Sequence, residues 1–293
     1  MAAIVHHNLP AGYARLNLAE AQRSSQEAIK RLSSGYRVNH PGEGTAAYSM
    51  SQRLKSDMDI YEQARRNAET GMALTLAIEA SNIQMLDVLD RMRELSVASA
   101  TDTMTQADRV QAQVEFSALQ EELSRLANTV QINNVRGLAT SGTLTFQTGI
   151  REGQHNRVVL TMADMRPDQL SVDRGAIDIT TQGNAQSGID RIETAMQSLI
   201  DYRTRIGSRY RELQVAFDVN VHQMENLGRT SGIIRDTDYA TEAGRMVQAQ
   251  VRLKASASIL TQANEMGRTS LITTSVMRIA NAISTLCFGA ILV

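Results

Sequence analysis

The chain lacks aromatic bulk: its 293 residues include no tryptophan, four phenylalanines and seven tyrosines. Its apolar residues, 42% of the total, are therefore mostly alanine, leucine, isoleucine, valine and methionine, which suit thin seams between helices better than a thick globular core. With only three prolines, the chain has room for long continuous helices. The single cysteine, Cys287, excludes an intramolecular disulfide framework and cannot form a thiolate zinc cluster alone.

A charge of one sign is also lacking, because 30 basic and 31 acidic residues leave a formal net charge of −1. Without a strong global field, we expect neither nucleic acid nor a membrane as a partner. The first ten residues have no basic region and no long apolar core, so they do not predict a secretory signal, and export would need another route. The uncharged stretch from Ile279 to Val293 is shorter than the roughly 20 residues that span a bilayer.

Motifs for catalysis and metal binding are missing as well. The sequence has no phosphate-binding glycine loop, no Gly-x-Ser-x-Gly elbow and no His-Glu-x-x-His motif. His6 and His7 are adjacent, so on a helix they would point about 100° apart, and no third ligand lies nearby. Asp236 and Asp238 are interpreted as helix caps before Tyr239 rather than as a calcium or acid–base pair. We therefore predict no enzyme activity, no cofactor and no metal site.

Hydrophobic periodicity predicts a mainly α chain. The predicted helices cover about 11–34, 45–100, 105–129, 189–227 and 239–266. Apolar stripes are assigned in the first helix to Tyr13, Leu16, Ile29 and Leu32, and in the third to Val110, Val114, Leu119, Leu123 and Leu126. Breaks are predicted at Asn39–Gly44 and at Gly228–Gly232 because of their glycines and the proline in the first. Two β-rich runs within about 142–165 predict a β-hairpin.

The predicted helix over 189–227 has the most regular pattern, with steps of three and four residues between its apolar positions. Only Arg203 and Asn220 interrupt this stripe. Because a polar residue at a core position often fixes register at some cost in stability, Asn220 is predicted to set the register of helix pairing. Arg203 could act in the same way or extend its guanidinium to solvent along its apolar stem.

Several short segments match the pattern of one protein family. They are Leu32–Asn39, Ala64–Gly71, Asp90–Val97, Leu126–Thr129, Ile132–Asn134, Ile234–Asp238 and Leu260–Asn264. Together they resemble the N- and C-terminal signatures of bacterial flagellin, the subunit of the flagellar filament. The resemblance covers roughly residues 10–266, in the expected order.

The resemblance implies a long antiparallel helical coiled-coil or bundle rod made from paired N- and C-terminal segments, with a small central β-hairpin. Residues 1–40 and 235–293 would form an inner, channel-lining layer. Residues 41–234 would form the outer rod, including the hairpin at about 142–165. The spacer between the rod helices is short, so no extra outer domains are expected. The tail from Gly267 to Val293 departs from the shorter, leucine-rich end that is common in the family.

The resemblance also implies a function and partners. The chain would be a structural subunit that polymerises into the flagellar filament used for swimming, and would lie outside the cell. Its partners would be copies of itself, the flagellar export apparatus, an export chaperone and the filament cap. The face with Arg91, Arg93, Glu94, Leu95 and Glu115 would contact neighbouring subunits and could be read by an innate immune receptor of animal hosts. From the residues alone, this face could equally be a solvated helix surface with local charge pairs.

Two other functions are open at this point. A hook–filament junction protein shares the paired-end plan, although it agrees less well with the Arg-Glu-Leu and Gln-Ala-Asn motifs. A cytoplasmic signalling hairpin like that of chemoreceptors also uses long heptads, although it needs helices of matched length joined by a tight turn.

For the filament subunit, the end helices of the monomer lack neighbours that cover their apolar stripes, so we expect them to order only on assembly.

Overall fold

The computed structural model describes residues 8–132 and 135–289. This part of the chain contains five long α-helices and four short strands. The helices are α1 (Leu9–Ser34), α2 (Thr45–Ser99), α3 (Gln106–Thr129), α4 (Gln182–Arg235) and α5 (Tyr239–Gly289). The strands are β1 (Gln131–Ile132), β2 (Val135–Arg136), β3 (Gly142–Gln147) and β4 (Arg157–Met162). The prediction of a mainly α fold with a small β-hairpin is confirmed.

Local side-chain chemistry explains where helices begin. The predicted start of α3 is a capping box, in which the Thr105 hydroxyl accepts a hydrogen bond from Asp108 N and the Asp108 carboxylate accepts one from Thr105 N, each at 3.3 Å. These bonds satisfy backbone donors that have no partner inside the helix. The segment between α1 and α2 is irregular apart from a single 3₁₀ turn, Pro41–Glu43, as its proline and glycines predicted.

The predicted break at Gly228–Gly232 is wrong, because α4 runs through both glycines to Arg235. A glycine inside a helix costs only about 1 kcal/mol relative to alanine, which the hydrogen bonds and contacts of so long a helix can offset. The last helix is also longer than predicted, since α5 continues past Met266 to Gly289. In both places the local helix propensity is unfavourable or weak, so contacts in the folded chain decide where the helix ends.

The chain divides into two compact units. Unit 1 contains the described residues up to Arg53 together with those from Thr230 onward, and unit 2 contains Leu54–Arg229. Each unit therefore combines residues from both halves of the sequence. The assignment of residues 1–40 and 235–293 to an inner layer, and of 41–234 to an outer rod, stays a prediction.

In unit 2, α2 and α4 pair in antiparallel orientation. Asn82 Nδ2 donates to Leu199 O at 3.2 Å, and Gln182 Nε2 donates to Ala100 O at 3.1 Å, so residue numbers rise along one helix as they fall along the other. Helix α3 and the hairpin cover this pair. Buried core residues include Ile78, Met85, Leu89 and Met92 of α2, Phe116 and Leu123 of α3, Leu160 of β4, and Ile192, Leu199, Tyr202 and Ile206 of α4.

Helix α3 buries the predicted stripe only in its second half. Leu123 and Leu126 are buried and Leu119 packs partly against the core, whereas Val110 and Val114 are exposed. The first half instead buries Ala112 and Phe116, so the helical period was correct and its phase was wrong at the start of the helix. The two valines are therefore surface residues.

Tyr202, rather than Arg203, occupies the core position of α4. Its side chain is fully buried and its hydroxyl donates to Gly137 O at 3.1 Å. Arg203 is exposed and pairs with Glu79 across the helices at 3.1 Å. The alternative in which Arg203 extends to solvent therefore holds, and Leu199, Tyr202 and Ile206 form an uninterrupted apolar stripe.

The hairpin is attached to α4 by Asn220. Strands β3 and β4 pair in antiparallel register, with Leu144 opposite Leu160. At the end of the hairpin, Thr148 O accepts a hydrogen bond of 2.9 Å from Asn220 Nδ2, and the Asn220 side chain is only 2% exposed. The bond requires one alignment of α4 with the hairpin. The register role of Asn220 stays a prediction, and this contact supports it.

Replacing Asn220 by leucine should lower the free energy of unfolding by about 1–3 kcal/mol, because it removes the donor to the buried Thr148 O. Urea unfolding followed by circular dichroism measures the change. Gln223→Leu, at an exposed position of the same helix, is the matched control and should stay within about 0.5 kcal/mol of the native chain. Equal effects of the two substitutions would contradict the role of Asn220.

Candidate functional site

In unit 1, α1 and α5 form an antiparallel pair that is held at both ends. At one end, Asn8 caps α1 by accepting from Ala11 N at 3.1 Å and donates through Nδ2 to Ala263 O at 2.9 Å. At the other end, the Tyr239 hydroxyl donates to Leu32 O at 3.0 Å. The pairing therefore joins the beginning of α1 to the middle of α5.

The buried seam between these helices is made mainly of small residues. On α1 it contains Ala11, Ala14, Ala21, Ser25 and Ala28, spaced by three, four or seven residues. On α5 it contains Ala249 and Ala263, together with the buried Glu242, which pairs with Arg31 at 3.5 Å. Small side chains let two helices approach closely, but each buries little apolar area. The pair thus gains less from burial than a leucine seam would give.

The large apolar residues of the same two helices face solvent. On α1, Leu9, Tyr13 and Leu16 are spaced by four and three residues and share one face, and each is more than 60% exposed. On α5, the exposed large apolar residues between Tyr239 and Gly267 are Val247, Val251, Ile259 and Met266. Large exposed apolar surfaces mark sites of association. We call these seven residues the outward apolar set.

In unit 1, the segment that follows α1 is hydrogen-bonded to the segment that precedes α5. Arg37 N donates to Arg235 O at 2.7 Å and Thr237 N donates to Gly35 O at 2.9 Å, forming a β-bridge between Tyr36 and Asp236. The Arg235 guanidinium lies 3.9 Å from the centre of the Tyr36 ring, which adds a cation–π contact.

Of the two predicted caps of α5, only Asp238 acts as one. Its carboxylate accepts from Ala240 N at 2.9 Å and Thr241 N at 3.2 Å. Hydrogen bonds from the Thr241 hydroxyl and from these N–H groups lower the pKa of Asp238. Asp236 instead lies in the β-bridge with Tyr36, so its interpretation as a cap is wrong.

The predicted contact face lies on α2 and α3 of unit 2. Arg91 donates to Glu94 at 2.7 Å on its own helix and to Glu115 on α3 at 2.9 Å. The hydrogen bond to Glu94 and, second in size, the one to Glu115 raise the pKa of Arg91. Arg91, Glu94 and Glu115 are exposed and Arg93 is half-buried, whereas Leu95 is 9% exposed and packs in the core.

Helices α2 and α3 also carry exposed apolar side chains that were not among the predicted contact residues. Arg109 Nε donates to Ser99 O at 2.9 Å and so holds the start of α3 against the end of α2. On these two helices, Val97, Val110 and Val114 are all exposed. Sequence periodicity did not predict that these valines are exposed.

Other predicted features have a plain outcome. His6 and His7 lie outside the described residues. Within residues 8–132 and 135–289, no group of three or more His, Cys, Asp or Glu side chains could hold a metal ion. Among the helices searched in that part of the chain, α2 alone contains a stretch apolar enough to cross a membrane, with a mean hydropathy of 1.2. Helix α2 also supplies core residues of unit 2.

Long paired helices, a seam of small residues and an outward apolar set define a structural, self-associating protein. Comparison with known families agrees. Residues 5–143 match the bacterial flagellin N-terminal helical region, and residues 189–272 match the bacterial flagellin C-terminal helical region. The flagellin of Halalkalibacterium halodurans is 32% identical over 263 residues, covering 89% of this chain and 96% of that relative.

Two further comparisons agree with this. The flagellar filament 30.7 kDa core protein of Treponema maltophilum is 29% identical over 273 residues, covering 89% of this chain and 96% of that protein. A putative flagellar hook-associated protein from Vibrio parahaemolyticus has a similar fold, with a TM-score of 0.54 at 13% identity, covering 66% of this chain and 99% of that one. The chain belongs to the flagellin family.

Membership of this family decides between the predicted functions. The chain is a structural subunit that polymerises with itself into a flagellar filament, and it is not an enzyme. The hook–filament junction protein and the signalling hairpin are not favoured. Filaments of this family are extracellular.

Proposed function

We propose that the chain assembles by covering the outward apolar set of α1 and α5 with the same helices of neighbouring copies. The supporting observation is the inverted arrangement of unit 1, in which alanines are buried and Leu9, Tyr13 and Leu16 are exposed. Burying one such side chain fully contributes about 1.5–3 kcal/mol. Several per copy can offset the freedom that is lost on association.

In this proposal the ends of the chain form the inner, channel-lining layer, over residues 1–40 and 235–293, and residues 41–234 form the outer rod. The distribution of exposed apolar residues supports it, because a layer with neighbours on several sides needs apolar residues on outward faces as well as in the seam. Full ordering of α1 and α5 then accompanies assembly. Unit 2 has its own core and keeps its fold in the monomer.

The Arg91 face of unit 2 makes a second contact between copies. Arg91 pairs with Glu94 on its own helix and with Glu115 on α3, and three valines of these two helices are exposed. Charges arranged in this way guide register more than they add affinity. Leu95 acts from the core by supporting the helix beneath Arg91. The same face, including Arg93, Glu94 and Glu115, is the one that an innate immune receptor of animal hosts would read.

The proposal includes a route to the filament, which the resemblance to the family supports. The chain passes through the flagellar export apparatus with the help of an export chaperone, and the filament cap directs its addition at the distal end. It then lies outside the cell, in the bacterial flagellar filament that drives swimming.

Seeded growth tests the proposal. Purified chain is added to short filament seeds and the products are examined by electron microscopy. We expect helical filaments of constant diameter that lengthen from the seeds. Monomers or dimers that persist across a range of salt concentrations would contradict the proposal.

A charge exchange tests the Arg91 contact. Arg91→Glu should slow seed elongation about tenfold, because it reverses the charge offered to a neighbour. The double variant Arg91→Glu with Glu115→Arg restores an ion pair within the chain. Its seed elongation should remain slow if neighbouring copies contact Arg91. Recovery of the native rate in the double variant would show that Arg91 acts only within its own chain. Arg125→Glu, at an exposed position of α3, is the control.

A further inference from the structure

A buried carboxylate lies in the seam between α1 and α5. The Glu242 side chain is only 5% exposed, and it pairs with Arg31 of α1 at 3.5 Å. It also pairs with Arg245, three residues further along its own helix, at 3.1 Å. Because Arg245 moves together with Glu242, only Arg31 makes this charge depend on how α1 and α5 are aligned. A buried carboxylate is costly unless a countercharge accompanies it.

The rest of the seam distinguishes poorly between alignments. Small side chains occupy buried or half-buried rows that repeat every seven residues, with Ala14, Ala21 and Ala28 on α1 and Ala249, Ser256 and Ala263 on α5. A helix with such a row presents a similar surface again after seven residues, about 10.5 Å along its axis. The two rows therefore allow α1 and α5 to pack closely in more than one alignment.

Arg31 and Glu242 break this repetition. The position of α1 seven residues before Arg31 is Ser24, which is neutral. In an alignment shifted by seven residues, Glu242 would face Ser24 and stay buried without a countercharge from α1. The other hydrogen bonds between the two helices end on the backbone oxygens of Ala263 and Leu32, and every residue offers such an oxygen. Of these contacts, only the ion pair depends on which residues meet.

We propose that Arg31 and Glu242 form a register lock, which admits only the alignment of α1 and α5 in which the buried carboxylate meets its countercharge. The geometry favours selection over added stability, because Arg31 Nε is buried and has no hydrogen-bond partner among the described residues. Fixing the register of paired helices is the best-attested role of buried polar and ionic groups. The lock acts within one copy and holds the outward apolar set of the two helices in one arrangement.

Disulfide formation reports the alignment, with Cys287→Ser in every chain so that only introduced cysteines react. Asn17 and Ser256 line one cavity between the helices, so Asn17→Cys with Ser256→Cys reports the native alignment. Asn17→Cys with Ala249→Cys reports the alignment shifted by seven residues, because a disulfide needs Cα atoms within about 7 Å. Non-reducing gel electrophoresis detects the intramolecular bond, both for the chain in solution and after its addition to filament seeds.

We expect the parent chain to form only the disulfide of the native alignment. Arg31→Ala should lower its yield about tenfold or more, because Glu242 stays buried without its partner on α1. Arg23→Ala, which removes an exposed arginine of the same helix, is the matched control and should change the yield by less than about twofold. Arg31→Ala with Glu242→Ala makes the seam uniformly small, so this double variant should form both disulfides.

An unchanged yield for Arg31→Ala would overturn the proposal. A double variant that forms only the native disulfide, or neither, would also overturn it, as would a parent chain without the native disulfide both in solution and on seeds. Elongation of seeds by the chain without introduced cysteines reports on the proposed function, so the two failures are distinguishable.

Discussion

Replacing Leu16 by aspartate should stop the chain from elongating filament seeds. Leu16 is 68% exposed and shares its face of α1 with Leu9 and Tyr13. If neighbouring copies cover this face, the substitution removes about 1.5–3 kcal/mol of apolar burial and places a carboxylate in an apolar contact. A combined loss of about 4 kcal/mol per copy corresponds to a thousandfold rise in the critical concentration.

Sedimentation of the elongated polymer measures this effect. Gln26→Asp, at an exposed polar position of α1, introduces the same charge and should elongate seeds normally. Circular dichroism of the monomer should be alike for both variants, because neither residue is in a core. Normal elongation by the Leu16→Asp chain would show that this face stays in solvent in the filament.

The largest effect on stability is expected from Phe116→Ala. Phe116 is fully buried on α3 and packs in the main core of unit 2. Removing a buried aromatic ring typically costs about 3–5 kcal/mol, because apolar contacts are lost and a cavity remains. Urea unfolding of the monomer should therefore move to a much lower midpoint.

The control for this substitution lies two residues away. Val114 is 66% exposed, so Val114→Ala should change the free energy of unfolding by less than about 0.5 kcal/mol. A comparable loss from both variants would mean that α3 packs with the phase that sequence periodicity predicted, with Val114 inward.

The two variants also separate folding from assembly. Phe116→Ala acts on unit 2, whereas Leu16→Asp acts on the association of unit 1. If the proposed division of roles is correct, the first lowers monomer stability and the second leaves it unchanged.

Features encoded locally were predictable from the sequence. The capping box at Thr105 and Asp108 needs only neighbouring residues, and the glycines and β-branched runs around the hairpin act over a few positions. Asn220 was also identified, because a polar residue in a long apolar stripe is visible without a structure. Its partner, Thr148 O, was not, since that contact spans 72 positions of sequence.

Features decided by packing were not predictable. Tyr202 and Arg203 are adjacent, and steps of three and four residues admit either one, so only the position of α2 and the contact with Gly137 O place Tyr202 inside. The continuation of α4 past Gly228 is similar. The local sequence shows that a glycine lowers helix stability, but it does not show the contacts with neighbouring elements that offset this loss.

In the candidate site, the buried seam between α1 and α5 could not be predicted either, because packing decides it. Periodicity favours large residues, so Tyr13, Leu16 and Ile29 were assigned to the stripe of α1. The close approach of α1 and α5 instead buries Ala14 and Ala21. The larger residues face solvent in the monomer, and their role in association stays a prediction.

In the proposed filament, copies of the chain cover the outward apolar set of α1 and α5. A helical reconstruction by electron cryomicroscopy of filaments grown from the purified chain would show these contacts. We expect Leu9, Tyr13 and Leu16 of each copy to pack against helices of neighbouring copies. A filament in which these side chains face open solvent, with copies joined only through unit 2, would contradict the account.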